Sequence, residues 1–196
     1  MTAMGRQLTS TSVGLRQLRS SDQRTIGRRW TTTDAGGNNA MTLAIVSTSD
    51  RPDLALTTGT WRWEAFYKDG GTELSEVLEG EAVAASSPDL LPTVLVLLED
   101  DLPVGMVAIC LDDLDGRPEL NPWLAGLYVE PNHRGKGHAL RLMSELETLA
   151  RRSDIERLTL YTASAVSLYE KTGWRTIETF DDKGEEFHIM SKNLAD

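Results

Sequence analysis

The chain has 196 residues, is 40% hydrophobic, carries a net charge of −10 and holds one cysteine. That length suits one α/β domain with a real core. No apolar run approaches the length of a membrane span, and a lone thiol, Cys110, excludes an internal disulfide and fits a reducing, cytoplasmic setting.

Charge is uneven: residues 1–40, with six Arg and two Asp, contribute +4 and leave −14 for the remainder. An acidic body argues against nucleic acid as a partner and favours cationic ones, amines among them. Residues 1–40 are rich in Thr, Ser, Gly and Arg and lack apolar periodicity. They read as a disordered or mis-annotated N-terminal extension, or a transit peptide, that should not carry the fold. The folded domain is expected over 41–196.

Residues 42–47 read as the first strand. Ser49-Asp50-Arg51-Pro52 carries helix-start signals, and Leu54, Thr58, Trp61 and Ala65 then fall on one helical face. Gly70-Gly71 breaks that pattern. A second helix begins at Thr72, with Leu74, Val77 and Leu78 inward and Glu73, Glu76 and Glu79 outward. After a Ser86-Ser87-Pro88 loop, residues 93–98 form a dense β-run. Asp100-Asp101 turns it, and 104–111 return antiparallel. Asp112-Asp113-Leu114-Asp115-Gly116 lacks the following Glu of a calcium loop and reads as a solvated turn. Cys110, in an apolar run, reads as a small buried hydrophobe.

Residues 124–129 make a central strand that leads into Glu130-Pro131-Asn132-His133-Arg134-Gly135-Lys136-Gly137-His138-Ala139. Gly135 and Gly137 let the backbone curl and bring N–H groups to an anion. A helix follows at once without a good N-cap residue, as if a ligand oxygen did the capping. Arg134 and Lys136 add positive charge. In that helix Ala139, Leu142, Met143, Leu146, Leu149 and Ala150 share one face, and Arg141, Glu145, Glu147, Arg151 and Arg152 the other. Residues 158–161 are the next strand. Ser164 can cap a short helix that ends at Gly173. Segments 174–179 and 186–192 close a hairpin around Asp181-Asp182-Lys183-Gly184.

The stretch from Val129 to Leu140 resembles the acyl-CoA-binding motif of the GNAT superfamily of N-acyltransferases, Q/R-x-x-G-x-G/A, here Arg134, Gly137 and Ala139. Ala165-Val166-Ser167-Leu168-Tyr169-Glu170-Lys171-Thr172-Gly173-Trp174 is similar to a second family segment, A-x-x-L-Y-E-x-x-G-F. Trp174 stands in the Phe place, and Thr162 stands where many members carry Asn. The resemblance implies a mixed, strongly twisted α/β sheet of about seven strands, with helices on both faces and a split between the two central strands. It also implies acetyl-CoA as cosubstrate, its diphosphate on Arg134, Gly135, Lys136, Gly137, His138 and Ala139, and its pantetheine arm along Leu127, Tyr128 and Val129. Thr162 belongs to the same contact set.

Tyr169 matches the family's general acid, which protonates the leaving thiolate. The base is open: Glu130, Glu64, Asp113 or a water chain. Trp61, Glu64 and Trp123 are candidate acceptor-site residues, with core packing the alternative for the two tryptophans. The acceptor is a small-molecule amine or a protein amine, and a homodimer is compatible with the pattern. His133, His138, His188 and Cys110 show no metal-ligand spacing, so no metal is expected. A non-catalytic acyl-CoA-binding module, or a module for another nucleotide, is the alternative reading.

Overall fold

The structure, a computed structural model, describes residues 27–33 and 40–195. Its frame is a single open sheet whose strands are built from β-branched and aliphatic runs. These are β1 (Gly27–Thr33), β2 (Ala40–Ser47), β3 (Thr93–Glu99), β4 (Leu102–Cys110), β5 (Trp123–Val129), β6 (Arg157–Thr162), β7 (Arg175–Asp182) and β8 (Glu185–Asn193), in spatial order β1-β2-β3-β4-β5-β6-β8-β7. Among the described residues, only the β5–β6 pair is parallel.

The helices are α1 (Ala55–Arg62), α2 (Leu74–Ser86), α3 (His138–Arg152) and the short α4 (Val166–Glu170). They cover both faces because the central strands alternate inside two cores. Along β3, Leu95 and Leu97 enter the core under α3 with Leu142, Met143 and Leu146, while Val94, Val96 and Leu98 enter the opposite core with Leu54, Trp61 and Ala84. The expected mixed sheet with helices on both faces is what forms.

Four details differ from the sequence reading. The sheet has eight strands rather than about seven, because Gly27–Thr33 pairs antiparallel with β2 from Gly27↔Val46 to Thr33↔Ala40. Those residues belong to the extension expected not to carry the fold; Trp30-Thr31-Thr32-Thr33 is nonetheless strand-prone. The rest of that extension, 1–26 and 34–39, lies outside the described residues. Ala65 is exposed, not inward, because α1 widens into a π turn over Trp63–Tyr67 that advances the helical face. Glu145 and Glu147, expected outside, are buried. Lys192 Nζ reaches both Glu147 oxygens, at 2.8 and 2.7 Å, and Trp174 Nε1 donates to Glu147 Oε1 at 3.2 Å. Finally, Ser164 does not cap α4: the helix starts at Val166, and Thr162 Oγ1 accepts the Ala165 N–H at 3.2 Å.

Strands β5 and β6 share a single register pair, Trp123↔Thr159, and then part. On its other side β5 continues along β4 to Gly105↔Val129, past an irregularity between Met106 and Ala108. Beyond Trp123, the β6-facing side of β5 therefore has no strand ladder among the described residues, and a wedge opens at the sheet centre.

Candidate active site

The glycine loop follows the end of β5, beyond the one pair that β5 makes with β6. A turn of 3-10 helix, Pro131–His133, carries the chain off the strand, and α3 begins at His138. Gly135 and Gly137 have φ of +76° and +78°, and a Cβ at either would meet nothing within 4 Å. The glycines are thus required by backbone conformation rather than by crowding. Gly137 is the N-cap, and no side chain caps the helix. The first amides of a 15-residue helix therefore face an open, glycine-lined turn, the arrangement that suits an anion.

The charged side chains of the loop are not all directed outward. Arg134 Nε donates to the Val129 carbonyl at 2.9 Å, and its guanidinium lies 6.0 Å from the Tyr128 ring centre. Lys136 Nζ lies 3.2 Å from Glu99 Oε1, at the end of β3. His138 is buried, and Ala139 is half-buried beside the α3 core. Leu127 and Tyr128 are half-buried at the wedge, whereas Val129 is in the core.

Tyr169 is buried against Trp174, edge to face at 6.0 Å between ring centres. Burial alone pushes its phenol up to about 12. The second motif is thus a core feature as well as a candidate chemical one.

A cleft of about 350 Å³ opens beside the end of β6. Its walls are the π turn with its sequel, including Glu64 and Tyr67, the end of β6 with Tyr161, Thr162 and Ser164, and the β8 residues Glu185 and Phe187. Of the three expected acceptor-site residues, only Glu64 lines it. Trp123 is fully buried, edge to face with Tyr161 at 5.9 Å, and the Trp61 ring lies 5.3 Å from that of Tyr128, tilted by 33°. Thr162 lines the cleft rather than the glycine loop, its hydroxyl engaged with Ala165.

Behind the cleft wall is a polar cluster that sequence reasoning mostly missed. Arg62 Nη1 donates to Glu81 Oε1 at 2.7 Å, and Thr58 Oγ1 donates to Glu81 Oε2 at 2.6 Å. Arg62 Nη2 donates to the Tyr67 hydroxyl at 3.3 Å. Gly126, at φ +57°, leaves the arginine room: a Cβ there would sit 3.3 Å from Arg62 Nε. Asp113 adjoins this cluster, its carboxylate 4.0 Å from Cys110 Sγ and its carbonyl accepting from the Tyr161 hydroxyl at 3.4 Å. Desolvation raises the Asp113 carboxyl to about 6 despite the opposing charge of Arg62. Burial also pushes the Cys110 thiol well up, which leaves it inert. The signal for Glu81 was present, since it continues the Leu74, Val77, Leu78 stripe of α2.

Glu130 is half-buried at the mouth of the loop, and its charge helps raise the Tyr128 phenol, after desolvation.

The family model of the Acetyltransferase (GNAT) family matches residues 56–174. The chain belongs to that family. This GNAT acetyltransferase shares its fold with solved structures of low sequence identity. An acetyltransferase of the GNAT family from Streptococcus pneumoniae superposes with a TM-score of 0.60 at 20% identity, covering 78% of this chain and 99% of that one. Aminoglycoside 6'-acetyltransferase type Ii gives 0.61 at 17% identity, covering 78% and 97%. Aminoglycoside 6'-N-acetyltransferase complexed with coenzyme A gives 0.60 at 15%, also covering 78% and 97%. No curated protein matches significantly in sequence. Among the described residues, no helix is long and apolar enough to cross a membrane.

Proposed function

We propose that this GNAT protein is an N-acetyltransferase that moves an acetyl group from acetyl-CoA to an amine by direct attack. The observation that carries this reading is the geometry at the wedge. An uncapped helix start with two left-handed glycines lies at the end of a strand whose far side has no ladder. The diphosphate suits the loop amides of Gly135, Lys136, Gly137, His138 and Ala139. The amides of the pantetheine arm suit the edge of Leu127, Tyr128 and Val129, where the Val129 carbonyl already accepts from Arg134 Nε, pairing as an added strand would. A backbone N–H on that edge can hold the oxyanion.

In this reading Tyr169 donates to the leaving sulfur. The amine enters by the 350 Å³ cleft, where Glu64 attracts its charge and Tyr67, Tyr161 and Phe187 supply aromatic faces. A cleft of that size with acidic and aromatic walls favours a small primary amine or the tip of a lysine side chain. Glu130 remains a candidate base at the loop mouth and Glu64 one in the cleft; Asp113, behind the cleft wall and raised to about 6 by desolvation, is a third that would act through a water. Its neighbours are Arg62 from α1, Tyr67 from the π turn, Cys110 from β4 and Tyr161 from β6.

Two outcomes test this assignment. With Asp113 as base, kcat/KM should rise with pH through about 6 and then level, and Asp113→Asn should remove that limb while lowering the plateau about 10²-fold. Stability should respond in the opposite sense. The folded pKa lies above the ordinary 3.8, so this group's contribution is full below about pH 4 and is lost as pH rises through 6. Asp113→Asn should therefore melt higher than the parent at pH 7 and equal to it at pH 4. An unchanged pH–rate profile would return the role to Glu130, Glu64 or water.

Gly137→Ala tests the loop. At φ +78° an alanine is strained by about 1–2 kcal/mol although its methyl group meets nothing. The loop should relax away from the anion-binding shape, weakening CoA about tenfold in a calorimetric titration with little change in kcat. Tighter binding of ATP or NAD than of CoA to the parent protein would overturn the choice of cosubstrate.

A further inference from the structure

One buried cluster takes no part in acetyl transfer as derived above. Glu99, the last residue of β3, is only 8% exposed, and its carboxylate meets the start of α3. Three nitrogen-bearing side chains converge on it. His133 Nδ1 abuts Oε2, His138 Nε2 lies 3.8 Å from Oε1, and Lys136 Nζ lies 3.2 Å from Oε1. A carboxylate oxygen and one ring nitrogen from each histidine all fall within 4.8 Å of one another.

His138 is the informative member. Its side chain is 2% exposed, and neither ring nitrogen has a hydrogen-bond partner among the described residues. Native structures rarely leave a buried imidazole so; where protein groups do not satisfy it, water or an ion does. Position 138 follows the helix stripe of Leu142, Leu146 and Leu149, so an apolar residue would have packed there without this cost. The ring is turned to the carboxylate of Glu99 instead.

Two imidazoles and one carboxylate are a donor set for zinc and similar divalent ions, with a fourth position left for water. Calcium or magnesium would ask for more oxygens than this cluster offers. Lys136 is the competing cation, but its side chain is 45% exposed on a flexible stem and can leave Glu99 for solvent. An ion here would tie the end of β3 to the first turn of α3, on the protein side of the glycine loop.

We propose that Glu99, His133 and His138 form a binding site for a zinc-type divalent metal ion beneath the glycine loop. The site acts as a clamp on the loop and stands whether or not the acetyl-transfer reading holds.

The test uses the tag-free full-length chain, stripped with chelator and dialysed. Titration with zinc chloride should give one ion per chain, and cobalt(II) in its place should show the visible absorption of a tetrahedral nitrogen–oxygen site. His133→Ala and His138→Leu should each weaken uptake at least tenfold, the scale set by loss of even an outlying partner of a ligand. His188→Ala, whose ring lies beside Glu186 on β8, should bind as the parent does. Metal-free melting of each variant controls for folding, and His133→Ala removes only a half-buried side chain. No uptake by the parent at one per chain would overturn the site, as would uptake that survives the His133→Ala/His138→Leu double variant. Either result would make the cluster a simple ion-pair network around Glu99.

Discussion

Tyr169→Phe should keep acetyl-CoA binding and lose turnover by about 10²–10³-fold, the range by which a positioned acid contributes. The variant is informative because it removes one oxygen and little packing. Phenylalanine keeps the edge-to-face contact with Trp174 and stays in the same core, so a large drop in stability is not expected. The reason for a drop in rate is electrostatic. Burial pushes the phenol up to about 12, so it stays protonated across any working pH. A thiol is the stronger acid, near 8.5, so complete proton transfer from the phenol to a free thiolate is uphill. Donation to the sulfur while the carbon–sulfur bond breaks is therefore where the hydroxyl contributes. Steady-state kinetics with saturating amine, alongside a CoA titration, separates the two effects. Undiminished kcat in the variant would remove the phenol from the mechanism. A parent protein that binds acetyl-CoA yet acetylates no amine in a broad screen would be the non-catalytic acyl-CoA-binding module instead.

Arg62→Met should destabilise the protein by about 3–5 kcal/mol, the loss seen when one member of a buried ion pair is removed. That is a large share of the roughly 5–15 kcal/mol typical of a folded domain. Glu81 has no side-chain exposure, and besides Arg62 it accepts from the Thr58 hydroxyl. Without Arg62 its carboxylate must stay charged in a dry site or take up a proton. Burial disfavours the arginine's charge, but Tyr67 and Glu81 more than offset this and hold its pKa above the ordinary value. Arg62→Met/Glu81→Met should recover most of the loss, because two apolar side chains replace the pair. Urea denaturation of both variants measures this directly, and a double variant no better than the single one would refute the account. The single variant also frees the Tyr67 hydroxyl in the cleft wall, so a change in KM for the amine beyond that for acetyl-CoA is expected.

The sequence carried much of this. Apolar alternation located β2 to β8 within a few residues, and the 3.6-residue period located α1, α2 and α3. Two local motifs, one around Gly137 and one around Tyr169, were enough to suggest the family. These features are legible because each depends on neighbours close in the chain: a strand on its own alternation, a helix start on the next turn, a left-handed bend on its glycine. The misses have an equally local cause. Ala65 turned outward because a π turn shifts the helical face, and Glu145 and Glu147 were set outside because charge outweighed their place near the apolar stripe.

What residues do when brought together from distant segments was not legible. Arg62 and Glu81 look like ordinary surface charges until α1 packs on α2. Asp113 reads as a solvated turn until Tyr161 and Cys110 close over it. Glu99, His133 and His138 have no metal-ligand spacing in the chain, yet the approach of β3 to the start of α3 places them around one point. The amino-acid order by itself determined the strands, the helices and the glycine-lined helix start, since short-range sterics and periodic burial act along the chain. Only the tertiary structure decided which carboxylates are buried, which aromatics line the cleft and where imidazoles meet a carboxylate, since desolvation and Coulombic contact depend on distance in space.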